Sequence, residues 1–172
     1  MNKRPTLIAA VLLFVFLAGC IGTGTIRLEY ELDEFYSSSG NIQVVEVDLT
    51  TNEDYNDNKD KIKSVDQVTV VGWLINMQQA DNSAEIWLSD VGTFASEAEV
   101  RANATRVFVS PVIPGNDSVF IDWSDGLNHV ENLPALKDAA EVGHFWLYGL
   151  ADSAPFNVGF RIGLIIVLTA GL

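Results

Sequence analysis

The sequence predicts a mainly β protein: an antiparallel β-sandwich, Ig-like in the broad sense, with two or three short helices. Apolar and polar residues alternate with a period of two through most of the chain, as they do in strands with one buried face. Turn-forming residues recur every 8–15 residues, which favours seven or eight strands. The helical patterns are short and few, which disfavours a βαβ fold.

The first predicted strand is "TIRLEYELD" (25–33), in which apolar and charged side chains alternate. Its apolar face consists of Ile26, Leu28, Tyr30 and Leu32. Its charged face consists of Arg27, Glu29, Glu31 and Asp33. This pattern predicts a strand that is buried on one side and hydrated on the other. After it, "SSSGN" (37–41) predicts a turn and "IQVVEVDLT" (42–50) a second strand.

The middle of the chain predicts two pairs of strands. The segment "VTVVGWLINM" (68–77) is apolar on both faces, which is typical of a central strand. The segment "AEIWLSDV" (84–91) is expected to pair with it across the polar turn "QQADNS". Farther along, "TRVFVSPV" and "SVFIDWS" flank another turn, "IPGND".

The last predicted strands are "HFWLYGL" (144–150) and "FNVGFRIGLIIVLT" (156–169). One face of the final strand is wholly apolar: Phe156, Val158, Phe160, Ile162, Leu164, Ile166 and Leu168. The other face begins with Asn157, Gly159, Arg161 and Gly163. Small residues on that second face suggest that another backbone or sheet approaches closely.

Two segments have helical signals and a third is ambiguous. Residues 50–65 place Thr50 and Glu53 in capping-box spacing, with acidic residues first and lysines last. In "LPALKDAAEVG", Pro134 stands near the start and Gly143 just past the end of a predicted helix. "SEAEVRANA" (96–104) fits either a helix or a strand.

The N-terminal residues predict export. Lys3 and Arg4 precede an uninterrupted apolar run of twelve residues, Leu7 to Ala18. That run is shorter than the about 20 residues that a bilayer-spanning helix needs, and its flanks are those of a secretory signal.

The motif that ends this run, Leu17-Ala18-Gly19-Cys20, resembles the lipobox of bacterial lipoproteins. The resemblance implies cleavage between Gly19 and Cys20 and a covalent lipid on Cys20, the chain's single cysteine. Residues 1–19 would then be a removed signal peptide, 20–24 a lipidated tether and 25–172 a single acidic domain. The alternative is an ordinary signal peptide followed by a free cysteine, which would be a liability in an oxidising compartment.

The charge of the chain limits its partners. Loss of Lys3 and Arg4 with the leader leaves 8 basic and 23 acidic side chains, a net charge of −15. Such a surface repels nucleic-acid phosphates, so no nucleic-acid partner is expected. Between Cys20 and Ile26 the chain reaches only about 20 Å. We therefore expect membrane contact through the anchor and any protein partner in the envelope close to the membrane.

One acidic stretch has the spacing of a calcium loop. Asp54, Asn56, Asn58 and Asp60 are spaced two apart, as oxygen ligands are in an EF-hand. However, Lys59 replaces the glycine of that loop and Val65 its final glutamate. A short helix with acids at its positive end explains the same residues, and the two interpretations exclude each other. We expect a helix and no cofactor, with calcium as the alternative.

Few residues suit acid–base catalysis near neutral pH. The only histidines are His129 and His144. Asp122, Ser124 and Asp125 lie close to His129 in "DWSDGLNH", but no known motif orders them, and Asp125 with Gly126 predicts a turn. No catalytic residues are predicted.

The four tryptophans, Trp73, Trp87, Trp123 and Trp146, all fall on predicted strands. Such residues usually pack in the core or on the sheet, although they can form a platform for a sugar or a peptide.

Together these features predict a non-catalytic binding or assembly module of the cell envelope, anchored by lipid. In a Gram-negative cell, Ile21 after the cysteine resembles the class sorted to the periplasmic face of the outer membrane. The alternatives are a membrane-tethered hydrolase that uses a carboxylate pair and a carrier of a small apolar ligand.

Overall fold

The computed structural model describes residues 22–171, which form two antiparallel sheets packed face to face. This confirms the predicted β-sandwich. Cys20 and the leader lie outside the described residues. No helix in the described part of the chain is long and apolar enough to cross a bilayer.

Within residues 22–171 there are nine strands and four short α-helices. The strands are β1 (Thr23–Glu31), β2 (Phe35–Ser38), β3 (Val44–Asp48), β4 (Ile62–Asn76), β5 (Ala84–Ser89), β6 (Thr105–Val109), β7 (Asp117–Ile121), β8 (His144–Ala151) and β9 (Asn157–Gly171). The helices are α1 (Glu53–Asn58), α2 (Glu97–Asn103), α3 (Trp123–His129) and α4 (Leu133–Val142). Two 3-10 turns, Leu49–Thr51 and Lys59–Lys61, flank α1.

The first sheet has five strands in the order β1-β9-β4-β7, with β2 also paired to β9. The second has four strands in the order β3-β8-β5-β6. Each of β4 and β9 is 15 residues long, and together they form the centre of the five-stranded sheet. Strands β1 and β2 pair with successive parts of β9, so a gap separates them opposite Arg161 and Ile162.

The core lies between the two sheets, where the predicted apolar faces meet. All seven apolar residues of the predicted face of the last strand are buried. The alternation in β1 is also confirmed, because Leu28 is buried while Arg27 and Glu29 are exposed. These two strands could be predicted because each carries a full period-two pattern.

The predicted pairing of the segment 84–91 with the segment 68–77 is wrong. Strand β5 pairs with β6 and β8 in the four-stranded sheet instead of with β4. The loop between β4 and β5 crosses from one sheet to the other and is held by buried asparagines. Asn76 Nδ2 donates to Ala80 O at 2.8 Å, and Asn82 Nδ2 donates to Ser153 O at 2.8 Å. These bonds replace the tight hairpin that the polar turn suggested.

Strand β2 was not predicted. It is only four residues long, too short to show a period-two pattern, and it occupies part of the predicted turn at 37–41. Phe35 places its ring in the core, stacked on Phe160 with ring centroids 4.6 Å apart. The turn itself is Ser39 and Gly40, closed by two backbone hydrogen bonds of 3.0 Å between Ser38 and Asn41.

The helices confirm part of the prediction. In α1, Asn52 is the N-cap in place of Thr50, and its side chain accepts the backbone N–H of Tyr55 at 3.1 Å. The ambiguous segment 96–104 contains a helix, α2, that begins with a capping box of Ser96 and Glu99. Helix α4 ends as predicted at Gly143, which has a positive φ of 85°.

Helix α3 replaces the turn predicted at Asp125 and Gly126. Asp122 caps it by accepting the backbone N–H of Asp125 at 2.8 Å. Gly126 lies inside the helix, where an added Cβ would clash with Thr69 Oγ1 and Val70 O of β4. The glycine therefore permits close helix–sheet packing, a role that the sequence does not distinguish from a turn.

Candidate functional site

Three large aromatic side chains are exposed on the outer face of the five-stranded sheet, away from the four-stranded sheet. Trp73 of β4 is 48% exposed, Phe120 of β7 is 50% exposed and Tyr36 of β2 is 42% exposed. With Ile75 and Arg161 on the same face they form what we call the aromatic surface. Large apolar side chains that share one exposed patch mark a candidate binding site.

The strand register brings these residues together. Trp73 lies opposite Phe120 on one side and opposite Arg161 on the other. The rings of Trp73 and Phe120 are 5.2 Å apart between centroids, tilted by 58°. Tyr36 lies opposite Gly159, and a Cβ added there would come within 2.8 Å of the tyrosine ring. The glycine thus leaves room for that ring against the sheet.

Arg161 provides the polar centre of the aromatic surface. Its Nε donates to Glu34 Oε1 at 2.7 Å, and its Nη2 donates to the Tyr36 hydroxyl at 3.4 Å. Both members of the Arg161–Glu34 pair are exposed, so the pair contributes little to stability. The contacts instead hold a planar guanidinium beside Trp73, where a ligand can reach it.

A cleft of about 380 Å³ adjoins the aromatic surface at the gap between β1 and β2. We call it the acidic cleft. Glu29, Glu31, Glu34 and Arg161 are among its lining residues, with Gly163 of β9. Glu29 is paired with Arg27 at 3.0 Å, whereas Glu31 has no ion pair among the described residues. The cleft therefore adds hydrogen-bond acceptors and negative charge beside the exposed rings.

The other tryptophans are partly buried, and Trp87 and Trp146 belong to the four-stranded sheet. Trp87 packs against Arg101 and Arg106, whose guanidinium carbons are 5.3 and 6.0 Å from its ring centroid. Trp146 meets the ring of His144 edge-on at 5.9 Å. Trp123 begins helix α3, so its assignment to a strand is wrong, and its ring centroid lies 5.4 Å from the guanidinium carbon of Arg27 in β1. The four tryptophans therefore do not form one platform, and Trp73 is the one that belongs to the aromatic surface.

The candidate acid–base residues serve local structural roles. Asp122 and His129 stand at opposite ends of α3, about 10 Å apart along the helix axis. His129 packs on Phe108 with centroids 6.2 Å apart, and His144 Nε2 lies 2.7 Å from Glu46 Oε1. Asp122 and His129 are therefore not placed to act on one substrate atom.

The calcium candidates do not lie in an extended loop. Asp54, Asn56 and Asn58 are in helix α1, and Asp60 is in the 3-10 turn that follows it. Helical residues two apart point about 200° apart, so their side chains diverge. Among residues 22–171, no group of three or more histidine, cysteine, aspartate or glutamate side chains is placed to hold a metal ion. The helical interpretation of this segment is confirmed.

A second cleft, of about 370 Å³, lies at the surface beside α4. Leu88, Asp90, Ala139, Val142 and Phe145 are among its lining residues. The carrier hypothesis places its ligand between the two sheets. That space is occupied by the buried core side chains, and this cleft lies outside it.

No protein-family model matches the chain, and no curated protein matches it. Among solved structures, the chain is similar to one of Desmodium yellow mottle tymovirus, with a TM-score of 0.36 and 10% identity, over 88% of this chain and 89% of that one. It is also similar to dimeric latent PorU from Porphyromonas gingivalis, with a TM-score of 0.33 and 15% identity, over 88% of this chain and 13% of that one. Likenesses this distant carry no argument about function.

Proposed function

We propose that this protein is an exported bacterial lipoprotein, anchored through a lipid on Cys20, that acts as a non-catalytic binding module of the cell envelope. In a Gram-negative cell its place is the periplasmic face of the outer membrane. The observation that carries the binding role is the exposure of Tyr36, Trp73 and Phe120 together on one sheet face. Their strands give these side chains a rigid support, so little ordering is needed on binding.

The anchor is supported by the lipobox, Leu17-Ala18-Gly19-Cys20, and by the short distance from it to the domain. Strand β1 begins at Thr23, three residues after Cys20. Two or three acyl chains at that cysteine would hold the domain permanently against the bilayer, since each buried methylene contributes about 0.8 kcal/mol.

The proposed anchor lies next to the end of the sheet that is far from the aromatic surface. Thr23 pairs with Gly171, at the end of the sheet nearest the anchor. Arg161 lies ten residues back along β9, a distance of about 33 Å at about 3.3 Å per residue. The aromatic surface is then accessible to ligands away from the bilayer, even though the tether itself is short.

Replacing Cys20 with serine is expected to abolish stable membrane attachment, because the thiol is the proposed site of lipid addition. The measurement is partitioning of the protein between aqueous and detergent phases, with the intact mass of the mature chain. Thr23→Ser, a conservative change three residues away, is the matched control and should partition like the wild type. Unchanged partitioning of the Cys20→Ser variant would contradict the anchor.

A photo-reactive amino acid placed at Phe120 is expected to form an ultraviolet-dependent adduct with the natural ligand in cells that produce the protein. The adduct is detected by mass spectrometry of the modified peptide. Val142, which is 74% exposed and lies in α4, is the control position. Equal labelling at both positions, or none at Phe120, would count against a binding role for the aromatic surface.

A further inference from the structure

We infer that the aromatic surface and the acidic cleft together bind a neutral oligosaccharide. This inference rests on the proposed function, since it names the ligand class of the same surface. It draws on three features of the described residues: the exposed rings, the mixture of hydrogen-bond donors and acceptors beside them, and the balance of charge.

The rings suit the apolar faces of sugar rings. A pyranose ring presents C–H groups on its faces and hydroxyl groups around its edge. Trp73 and Phe120 present adjacent, half-exposed rings on neighbouring strands, with centroids 5.2 Å apart. Tyr36 and Trp73 also carry polar groups at the ring edge, so each can pack on a sugar and hydrogen-bond to it.

The polar groups beside the rings match hydroxyls, which both donate and accept. Arg161 supplies N–H donors, and its orientation is fixed by the 2.7 Å bond to Glu34. Glu31 and Glu34 supply carboxylate acceptors in the acidic cleft. Hydrogen bonds that involve a charged partner are stronger than neutral ones, so a few of them suffice to orient a sugar.

The charge of this region disfavours an anionic ligand. Three glutamates line the acidic cleft in a chain whose net charge is −13, which disfavours nucleic acids and acidic polysaccharides. The guanidinium of Arg161 is paired with Glu34 at 2.7 Å, so it supplies hydrogen-bond donors without giving the region a net positive charge. A neutral oligosaccharide is not repelled by these carboxylates.

The dimensions favour a short oligosaccharide over a protein partner. The surface crosses four strands, β7-β4-β9-β2, which are three spacings of about 4.8 Å, or about 14 Å in all. Stable protein interfaces bury about 800 Å² on each partner and involve about 20–30 residues a side. Five residues define this surface, far fewer than a stable protein interface needs.

The test is calorimetric titration of the purified protein, as the cell produces it, with cellotriose, chitotriose and maltotriose as neutral probes. At least one is expected to bind saturably at millimolar concentration or below. Trp73→Ala should weaken that binding at least about tenfold. Val142→Ala, an exposed apolar residue on α4, is the matched control and should leave it unchanged, with circular dichroism confirming that both variants are folded.

The acidic trisaccharide trigalacturonate provides the charge control and is expected not to bind. The inference is overturned if no neutral probe binds, if trigalacturonate binds more tightly than all three, or if Trp73→Ala binds as the wild type does. An adduct of another protein at Phe120, together with no sugar binding, would overturn this inference and leave the proposed binding role standing. If neither an adduct at Phe120 nor sugar binding is detected, this inference and the proposed binding role are both contradicted.

Discussion

Removing both guanidinium groups that face Glu85 is expected to lower the free energy of unfolding by about 3–5 kcal/mol. The side chain of Glu85, in β5, is fully buried. It accepts hydrogen bonds from Arg101 Nη1 and Arg106 Nη1, both at 2.7 Å, and from Trp87 Nε1 at 3.0 Å. The double variant Arg101→Met, Arg106→Met leaves this carboxylate buried without a cationic partner.

The contacts of the two arginines explain why the double variant should cost more than the sum of the single ones. Either arginine alone can still neutralise Glu85, so each single substitution leaves the buried charge paired. Burial alone would lower the pKa of Arg101, but the hydrogen bonds and charges of Glu97 and Glu85 outweigh it and raise that pKa. The pKa of Arg106 is raised first by its hydrogen bond to Glu85 and then by that to Glu131.

The measurement is urea unfolding of each variant, followed by circular dichroism. Methionine is chosen because its stem preserves packing against Trp87. Adding Glu85→Gln to the double variant should restore at least half of the lost stability, since it removes the buried charge and keeps an acceptor for Trp87 Nε1. This recovery separates an unpaired charge from a simple loss of packing.

The matched control is Arg161→Met, which breaks the exposed pair with Glu34 and should change stability by less than about 1 kcal/mol. A double variant that is no less stable than this control would contradict the role of Glu85. A triple variant that recovers none of the lost stability would also contradict this role.

The Glu85 network could not be predicted from the sequence. Its residues come from β5, α2 and β6, and no spacing along the chain connects them. Arg101 also donates from Nη2 to Ala151 O at 2.6 Å, so it ties α2 to β8. Such a cluster depends on the strand order of the four-stranded sheet, in which β5 lies between β6 and β8. The sequence-based pairing of β5 with β4 was wrong, so it could not indicate this cluster.

The elements that could be predicted are those whose signals are local. Strands β1 and β9 show long alternation, and α4 has its proline and its glycine at the expected ends. Strand β2 and helix α3 lack such signals, because their positions are fixed by distant contacts. Phe35 stacks on Phe160, and Gly126 packs against Thr69.

The aromatic surface was only partly predictable. The sequence suggests a tryptophan platform but cannot select Trp73, since β4 is apolar on both faces. The outer face of β4 is covered by α3 at Thr69, which is fully buried, and is open at Trp73. The small and charged residues on the second face of β9 were a usable signal. Knowing that Arg161 lies opposite Trp73, however, requires the register of the pairing.

Phe160→Ala is expected to lower the free energy of unfolding by about 3–5 kcal/mol. Phe160 is fully buried and stacks on Phe35 at 4.6 Å with an interplanar angle of 6°. Its ring also reaches the opposite sheet, where a Cβ added at Gly149 of β8 would clash with it. Deleting the ring removes this contact between the sheets and leaves a cavity that the paired strands cannot readily close.

Phe120→Ala makes the same chemical change in the same sheet, on its outer face, and is the matched control. Because Phe120 is half exposed, its loss should cost less than about 1 kcal/mol in the same urea experiment. Similar losses for the two variants would contradict the assignment of Phe160 to the core and of Phe120 to the open surface. The two substitutions also separate stability from binding. Phe120→Ala should weaken the proposed sugar contact while the protein remains folded, whereas Phe160→Ala should act on stability.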